Sequence, residues 1–372
     1  MKIGIDCRFF SAHFTGIGRY AYELVSYLEK NDNLNEYVLF FNEPHYSEYT
    51  PKNRNFKKIL VNAKHYSWQE QTIFLYKILQ EKLDLMHFTH FNAPVFYFKP
   101  SIVTIHDLTL SFYPGKKMTK MHHRIAYNLV IKSITRRAKK IIAISKNTKK
   151  DIIEILNIKE SAIEVIYNGI SLEDFYKVED EREIINLKNN LKINREYFLY
   201  TGVWREHKNL SRLVSAFAEA VKAGIDVDLV IAGKEDLTYH EVRDAIVENN
   251  LQSRIHLVGF VAGKELRTLY SGALAYVFPS LYEGFGLPIL EAMASEIPVI
   301  CSNNSSCPEI AGEGNTLFFN PTSLESIKNA MLEITKNEKL RNELVRRGKE
   351  RVKDFSWDKM GKEVLEIYRT VI

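Results

Sequence analysis

The chain has 372 residues, of which 45% are hydrophobic and 26% charged, and its formal net charge is +5 at pH 7. This length suits two domains better than one, and each half has enough apolar residues to build its own core. No run of about 20 apolar residues occurs, so neither a membrane-spanning helix nor a secretory signal is expected. The odd cysteine count, Cys7, Cys301 and Cys307 without a C-x-x-C pair, argues against a disulfide scaffold or structural zinc and favours a cytoplasmic location.

The first predicted strand, residues 2–6, is followed by Gly16 and Gly18 and then by a helical pattern from Ala21 to Leu28. Glycines between a first strand and a first helix can cradle phosphate. The full dinucleotide fingerprint and its distal acidic residue are missing, which argues against a Rossmann dehydrogenase.

Further strands are predicted at 37–41, 85–88, 102–105 and 141–144, alternating with helical segments at 68–79 and 149–156. This alternation predicts a parallel, doubly wound α/β sheet, which binds ligands at the carboxyl ends of its strands. His106 stands at one such end and is expected to contact a hydroxyl or a phosphate or to carry a proton, unless it only caps the turn. His87, His90 and Asn92 form a second polar cluster, either for an acceptor or as plain loop residues.

Residues 111–150 contain twelve Lys and Arg and no Asp or Glu, interleaved with apolar side chains. This pattern predicts a basic helix that contacts an anionic surface such as a membrane, with an ordinary solvated helix face as the alternative. Nucleic acid is a weaker option, because no nucleic-acid motif accompanies the charge.

A polar stretch from Leu172 to Asn190 is expected to connect two domains. A strand then restarts at 197–201, and Arg205 and Lys208 precede the next helix. Cations beside a helix start form an anion site.

Strand 273–278 leads into the most informative stretch, Ser280–Ala294. Gly284 and Gly286 allow a close backbone approach, and Pro288 suits the first turn of a helix whose N-terminus favours phosphate. The flanking carboxylates Glu283 and Glu291 suit sugar hydroxyls. The stretch therefore predicts a nucleotide-sugar site, with an ordinary strand–turn–helix unit as the alternative.

The spacing Glu283-x7-Glu291, with Gly-Phe-Gly-Leu-Pro between the two acids, resembles the signature of the retaining family 4 glycosyltransferases. Segments 297–300 and 308–312 also match, and 16–20 with 104–108 look most like bacterial mannosyltransferases of O-antigen or capsule assembly. The resemblance implies the GT-B fold, with two Rossmann-like α/β domains facing a cleft. The boundaries expected from it are an acceptor domain at 1–171, a linker at 172–195, a nucleotide-sugar domain at 196–354, and a helix at 355–372 that crosses back to the first domain.

The same resemblance implies roles for individual residues. Glu291 would bind the ribose, and Lys208, Arg205 and the backbone around Phe285, Gly286 and Leu287 would hold the diphosphate. Arg205 substitutes for the arginine that many members carry directly after the glycine, where this chain has Val203. In the family, Gly16 and Gly18 belong to a loop over the diphosphate, His106 lies beside the donor sugar, and the loop at Val261 lies near the base.

Glu283 is expected near the sugar, either as a nucleophile or to orient hydroxyls while the leaving phosphate takes the acceptor proton; the resemblance favours orientation. Asp226-Val227-Asp228 has the Asp-x-Asp form of metal-dependent glycosyltransferases but precedes its strand, so a solvated strand edge and no metal or other cofactor are expected. GDP-mannose is the favoured donor, with UDP-sugars open, and the acceptor is a saccharide or a lipid-linked saccharide. The alternative function is that of a non-catalytic protein that binds nucleotide sugars or polyanions. The expected location is the cytoplasm, with a peripheral position on the inner face of the membrane.

Overall fold

The structure is a computed structural model that describes residues 1–11, 16–115 and 121–371. It divides into two compact units. The first comprises Met1–Leu108, Lys117–Gly169 and Ser356–Ile372, and the second comprises Thr109–Lys116 and Ile170–Phe355.

Each unit is built on one sheet whose recorded strand pairs are all parallel. The described strands are β1 (Lys2–Asp6), β2 (Glu36–Phe41), β3 (Phe56–Leu60), β4 (Leu85–Phe88), β5 (Ser101–Ile105), β6 (Lys140–Ala143), β7 (Ile163–Val165), β8 (Glu196–Thr201), β9 (Val227–Ala232), β10 (Ile255–Gly259), β11 (Ala275–Phe278), β12 (Val299–Ser302) and β13 (Leu317–Phe319).

Helices connect most of these strands, as is usual for parallel pairing, whereas β4 and β5 are joined by the loop 89–100. The described α-helices are α1 (Gly16–Asn31), α2 (His45–Glu48), α3 (Leu75–Gln80), α4 (Thr109–Phe112), α5 (Met121–Arg137), α6 (Lys146–Leu156), α7 (Glu181–Asn190), α8 (Leu210–Lys222), α9 (Glu241–Glu248), α10 (Gly263–Ser271), α11 (Leu287–Ala294), α12 (Cys307–Ala311), α13 (Leu324–Lys336), α14 (Glu338–Arg351) and α15 (Trp357–Val371). A π-helical turn, Glu70–Phe74, leads directly into α3.

The first sheet has the order β3-β2-β1-β4-β5-β6-β7. Strands β4 and β5 are buried along their whole length, which explains their nearly continuous apolar sequences. Ser145 caps α6 by accepting a hydrogen bond from the Thr148 backbone N–H.

The C-terminal helix α15 belongs to the first unit and packs against α1. The hydroxyl of Tyr368 on α15 lies 2.6 Å from His87 Nδ1 on β4, inside the core. This confirms the expected return of the last helix to the first domain. The same bond corrects the idea that His87 meets a substrate, because His87 is fully buried and its Nε2 lies 2.8 Å from Thr104 Oγ1.

The second sheet has the order β10-β9-β8-β11-β12-β13. The strand order therefore reverses between β8 and β11, which are direct neighbours, with Phe198 opposite Ala275. The segment expected to link the domains contributes α7 to this unit, where Glu183 pairs with Lys264 on α10 at 2.7 Å.

The prediction of a solvated edge at Asp226 and Asp228 is wrong for Asp228. Its side chain is only 1% exposed and lies 3.0 Å from Arg254, 2.9 Å from His256 and 3.4 Å from Arg195. Because a buried carboxylate requires charged partners, Asp228 is the centre of a structural ion cluster at the amino end of β9.

The basic window, residues 111–150, contains the predicted basic helix as α5, and its contact with an anionic surface stays a prediction. The window contains the end of α4, all of α5, strand β6 and the start of α6, while residues 116–120, with three of its lysines, lie outside the described part. Among the described residues, no helix is long and apolar enough to cross a membrane.

Candidate functional site

The two cation- and glutamate-bearing segments of the second unit follow neighbouring strands. Arg205 and Lys208 come after β8, and Glu283 comes after β11. Since β8 and β11 flank the point where the strand order reverses, their carboxyl ends border the crevice in which such sheets bind ligands.

Lys208 and Glu283 form an ion pair at this point. Lys208 Nζ lies 2.6 Å from Glu283 Oε1, and both side chains are largely buried. The sequence predicts that the lysine contacts a diphosphate and that the glutamate contacts a sugar. The structure brings these two side chains together. A diphosphate that binds Lys208 competes with Glu283 for the same ammonium group.

Two serines fix the backbone at Glu283. Ser305 Oγ accepts a hydrogen bond from the Glu283 N–H at 3.1 Å and lies 2.7 Å from its carbonyl. Ser306 Oγ donates to the carbonyls of Glu283 and Phe285 at 3.0 and 2.9 Å. The Phe285 ring is buried against Phe355, so this residue can offer a ligand its backbone rather than its side chain.

The glycine turn positions the N-terminus of α11. Gly286 has φ +99°, a left-handed conformation that a side chain disfavours, and Pro288 occupies the first turn. The sequence prediction of a strand, a glycine turn and a helix start is confirmed. The N-terminal end of α11, starting at Leu287, carries the partial positive charge of the helix dipole.

Glu291 is held by a buried chain of hydroxyl groups. Tyr270 Oη donates to Glu291 Oε2 at 2.8 Å, Thr201 Oγ1 lies 2.7 Å from Tyr270 Oη, and Tyr276 Oη lies 3.0 Å from Thr201 Oγ1. Burial raises the pKa of Tyr270 well above its ordinary value, so its hydroxyl keeps its proton and remains a donor. This relay fixes one carboxylate oxygen of Glu291.

Arg205 is paired with Asp236, which follows β9. Hydrogen bonds from Thr238, together with Arg205, lower the pKa of Asp236 to about 2, so this carboxylate is ionised at neutral pH. Arg205 follows β8, as Lys208 does, and its positive charge is therefore neutralised by the Asp236 carboxylate. Val261 is half-buried in the loop between β10 and α10 of the same unit.

His106 lies in the first unit, directly after β5. Burial lowers its pKa to about 4, so the imidazole is neutral at pH 7. Its Nε2 is 2.9 Å from the Thr89 carbonyl, which can only accept; Nε2 therefore carries the proton and Nδ1 is the acceptor. The ring stands edge-on to Tyr20, with centroids 5.1 Å apart.

Gly16 and Gly18 lie in the first turn of α1, not in a loop, whereas the preceding residues 12–15 are outside the described part. A Cβ at Gly18 would approach the Phe9 carbonyl to 2.6 Å. The structure thus gives Gly18 a packing reason to be glycine. His90 and Asn92 are buried after β4, and among the described residues the Asn92 Oδ1 has no hydrogen-bond partner.

Known families match both halves of the chain. Residues 14–174 match Glycosyltransferase Family 4, and residues 181–351 match Glycosyl transferases group 1. A glycosyltransferase of Methanocaldococcus jannaschii is 30% identical over 296 residues, covering 78% of this chain and 76% of the relative. The O-antigen chain mannosyltransferase B of Escherichia coli is 24% identical over 374 residues, covering 95% of this chain and 96% of the relative.

The chain belongs to glycosyltransferase family 4. It is a hexosyltransferase. Solved structures support the GT-B fold: sucrose-phosphate synthase from Thermosynechococcus elongatus superposes with a TM-score of 0.81 at 20% identity, covering 100% of this chain and 99% of that one. HepE from Anabaena, in complex with UDP and glucose, superposes with a TM-score of 0.77 at 18% identity and covers 100% of both chains.

Several residues that organise this glycosyltransferase's candidate site were missed by the sequence analysis. They are the residues that hold the predicted ones: Tyr270 for Glu291, Ser305 and Ser306 for Glu283, and Asp236 for Arg205. The run Asn303-Asn304-Ser305-Ser306 after β12 was the one available signal, since such residues favour turns that bond nearby backbone.

Among the described residues, no group of three or more His, Cys, Asp or Glu side chains is arranged to hold a metal ion. The charged groups that the second unit places around its crevice are Arg205, Lys208, Glu283 and Glu291. The chemistry proposed below uses these groups.

Proposed function

We propose that the enzyme transfers a mannosyl group from GDP-mannose to a saccharide or lipid-linked saccharide acceptor, with retention of the anomeric configuration. The observation that carries this proposal is the Lys208–Glu283 pair at the reversal point of the second sheet, next to the N-terminus of α11. The mannosyl group is supported by the Escherichia coli relative, an O-antigen chain mannosyltransferase. The nucleotide-sugar donor is supported by the UDP and glucose in the HepE structure.

Donor binding uses the groups of the second unit. Glu291, oriented by Tyr270, accepts hydrogen bonds from the ribose hydroxyls. The diphosphate is bound by Lys208, by Arg205 and by the N-terminal end of α11, where the helix dipole favours negative charge. The loop at Val261 contacts the base. Lys208 then exchanges a carboxylate partner for a phosphate oxygen, so Glu283 is released for the sugar.

In the reaction, the acceptor hydroxyl oxygen forms a bond to the anomeric carbon on the face from which the diphosphate leaves. The carbon–oxygen bond to the phosphate breaks, and the hydroxyl proton passes to the leaving diphosphate. Lys208 and the α11 N-terminus stabilise the charge that develops there. Glu283, released from Lys208 when the diphosphate binds, orients sugar hydroxyls in this scheme.

His106 contributes as a neutral hydrogen-bonding group. With Nε2–H committed to the Thr89 carbonyl, its Nδ1 can accept a hydrogen bond from a hydroxyl of the donor sugar. Burial holds its pKa near 4, so it does not supply a positive charge at pH 7. Gly16 and Gly18, at the start of α1, are proposed to approach the diphosphate through backbone N–H groups.

The proposal includes no metal requirement, since Lys208, once it has exchanged Glu283 for a phosphate oxygen, and the N-terminus of α11 offer positive charge to the diphosphate, with Arg205 as a further hydrogen-bond donor. It also places the enzyme in the cytoplasm, on the inner face of the membrane. The cations of α5, including Lys132, Arg136 and Arg137, would attract it to anionic lipid by about 1 kcal/mol each near the surface, screened by salt.

The test is product analysis. The enzyme is incubated with GDP-mannose, or with UDP-glucose and UDP-galactose as matched donors, and with mannose-terminated oligosaccharides in the presence of EDTA. We expect transfer from GDP-mannose and an α-linkage by NMR, matching the α-configuration of the donor. A β-linked product would refute retention, and transfer from the UDP-sugars alone would refute the mannosyl assignment. Activity that EDTA abolishes and Mg²⁺ restores would refute the metal-free scheme.

A further inference from the structure

The first unit exposes a group of large apolar side chains that neither its sheet nor the donor site uses. Trp68 is 85% exposed, Phe98 70%, Phe96 65% and Tyr76 61%. Contiguous exposed apolar patches on a folded chain mark interaction sites, in contrast to single exposed residues. We call these four residues, with Ile73, Leu79 and Leu129, the aromatic surface.

Direct contacts join the three segments that carry this surface. Gln71, within the π-helical turn, accepts a hydrogen bond from the Val95 N–H at 2.8 Å. Arg137 on α5 donates to the Val95 carbonyl, and its guanidinium lies 4.4 Å from the centroid of the Phe98 ring. The helical segment 68–80, the loop 93–99 and α5 are therefore neighbours.

Segment 68–80 is apolar on two faces. Its inner face buries Phe74 and Ile78 against the sheet, whereas Trp68, Ile73, Tyr76 and Leu79 are exposed. A helix at the surface of a globular domain normally has a polar outer face. In the part of the chain that the structure describes, the second apolar face of this segment is thus left exposed.

The segments that carry the aromatic surface expose charges of one sign. Residues 62–80, 91–99 and 121–140 are described throughout and contain a single carboxylate, Glu70. That carboxylate is buried and lies 3.0 Å from Arg8, so it does not face solvent. Cations lie along the same segments, at Lys64, Lys77, Lys99, Lys132, Arg136, Arg137 and Lys139.

We propose that the aromatic surface inserts into the headgroup region of an anionic lipid bilayer. Apolar rings and aliphatic side chains bordered by cations, with no exposed carboxylate, complement a surface that is apolar below and negative above. A saccharide would not favour the cations, and a second copy of this basic surface would repel the first. The inference rests on the peripheral contact proposed above and extends it from charge attraction to insertion.

The chain contains its own reporter for insertion. Of its three tryptophans, Trp204 and Trp357 are 2% and 8% exposed, so a change of tryptophan emission on lipid binding reports Trp68. The full chain is titrated with vesicles of phosphatidylcholine alone or with 30% phosphatidylglycerol, at low and high salt. We expect a blue shift with anionic vesicles, and quenching by brominated acyl chains, that persists in part at high salt. Glycerol phosphate in solution should produce no shift.

Three variants make the test specific. Phe96→Ala with Phe98→Ala should weaken vesicle partitioning by at least about tenfold, equivalent to ~1.4 kcal/mol of lost apolar transfer. Trp68→Phe should abolish the emission change while most binding by sedimentation remains. Leu237 lies in the second unit and is about as exposed as Trp68, and Leu237→Ala should have no effect on vesicle binding.

Two results would overturn the proposal. If vesicles bind but Trp68 emission is unchanged and all binding disappears at high salt, the contact is electrostatic and the aromatic surface does not insert. If vesicles do not bind and the double phenylalanine variant instead abolishes a dimer seen by light scattering, the surface joins two copies of the chain. Neither readout depends on sugar transfer, so failure here is distinct from failure of the donor assignment.

Discussion

Tyr270→Phe tests how the enzyme prepares its ribose contact. The substitution removes one oxygen, the hydroxyl that donates to Glu291 at 2.8 Å and lies 2.7 Å from Thr201. Thr201 keeps Tyr276 as a partner at 3.0 Å, so the lost interaction is mainly the bond to the Glu291 carboxylate. A hydrogen bond to a charged group contributes about 1.5–3 kcal/mol.

If about half of that free energy orients Glu291 for the ribose, the Kd for GDP should rise roughly tenfold, since ~1.4 kcal/mol corresponds to a factor of ten. The assay is isothermal titration calorimetry with GDP and with 2′,3′-dideoxy-GDP, for the wild type, Tyr270→Phe, Glu291→Gln and the double variant. The dideoxy compound should show no effect of Tyr270→Phe. In the Glu291→Gln background the substitution should also have little further effect, because both changes act on one contact.

Equal losses for GDP and the dideoxy compound, or fully additive losses in the double variant, would refute the reasoning. Tyr270 would then be a packing residue whose removal loosens the unit as a whole. Urea unfolding of each variant measures that contribution separately, and a cost of about 1–3 kcal/mol is expected for the buried hydroxyl network.

Three further predictions follow from the same geometry. Glu283→Gln should lower kcat by about a hundredfold or more while GDP binds at least as tightly, because Lys208 loses its competing carboxylate; weaker GDP binding with unchanged kcat would contradict this. Gly286→Ala should lower the free energy of unfolding by about 1–2 kcal/mol, measured in urea, because alanine disfavours φ +99°, and an unchanged value would contradict the strained turn. Burial lowers the pKa of His87 to about 3 and of His106 to about 4, below the unfolded value of about 6.5. The unfolded chain therefore binds more protons, and stability should be full above pH 6.5 and fall toward pH 4 by up to about 1.4 kcal/mol per pH unit for each histidine. His87→Gln should reduce the slope of unfolding free energy against pH, measured by urea unfolding, whereas the control His122→Gln, at an exposed position, should not. A slope that His87→Gln leaves unchanged would contradict the assignment of this pH dependence to the buried histidines.

The parts of this fold that sequence predicted are those that depend on local patterns. Strand β11, the turn at Gly286 and helix α11 follow from an apolar run, a glycine and a proline within 20 residues of chain. Ser145 could be identified as a helix cap for the same reason. The parallel pairing in both sheets follows from repeated strand–helix alternation.

Interactions between distant segments could not be predicted in the same way. Lys208 and Glu283 are 75 residues apart, and their pairing depends on β8 lying next to β11. Tyr270 reaches Glu291 from a different helix, 21 residues earlier. Asp228 looked like a solvated residue because its partners Arg195 and Arg254 are recruited only when the chain folds.

The bounds of the basic helix could not be predicted from composition. Charge indicated a basic helix within residues 111–150, and the structure shows that this helix is α5, with further cations on β6 and α6. The aromatic surface could not be predicted, because large aromatic residues are usually buried and the sequence does not show that Trp68 and Phe98 are exposed.

We infer that the second unit binds a nucleotide sugar through Lys208. Thermal unfolding in the presence of ligands is the direct test of this binding. The wild type and Lys208→Ala are heated with GDP, GDP-mannose, UDP-glucose and inorganic phosphate, without added metal, and with Lys222→Ala as a surface control. A ligand at a hundredfold excess over its Kd stabilises the folded state by about 2.7 kcal/mol. We expect a clear rise in Tm with GDP-mannose that Lys208→Ala removes and Lys222→Ala leaves unchanged. No rise with any nucleotide, or a rise that persists in Lys208→Ala, would contradict it.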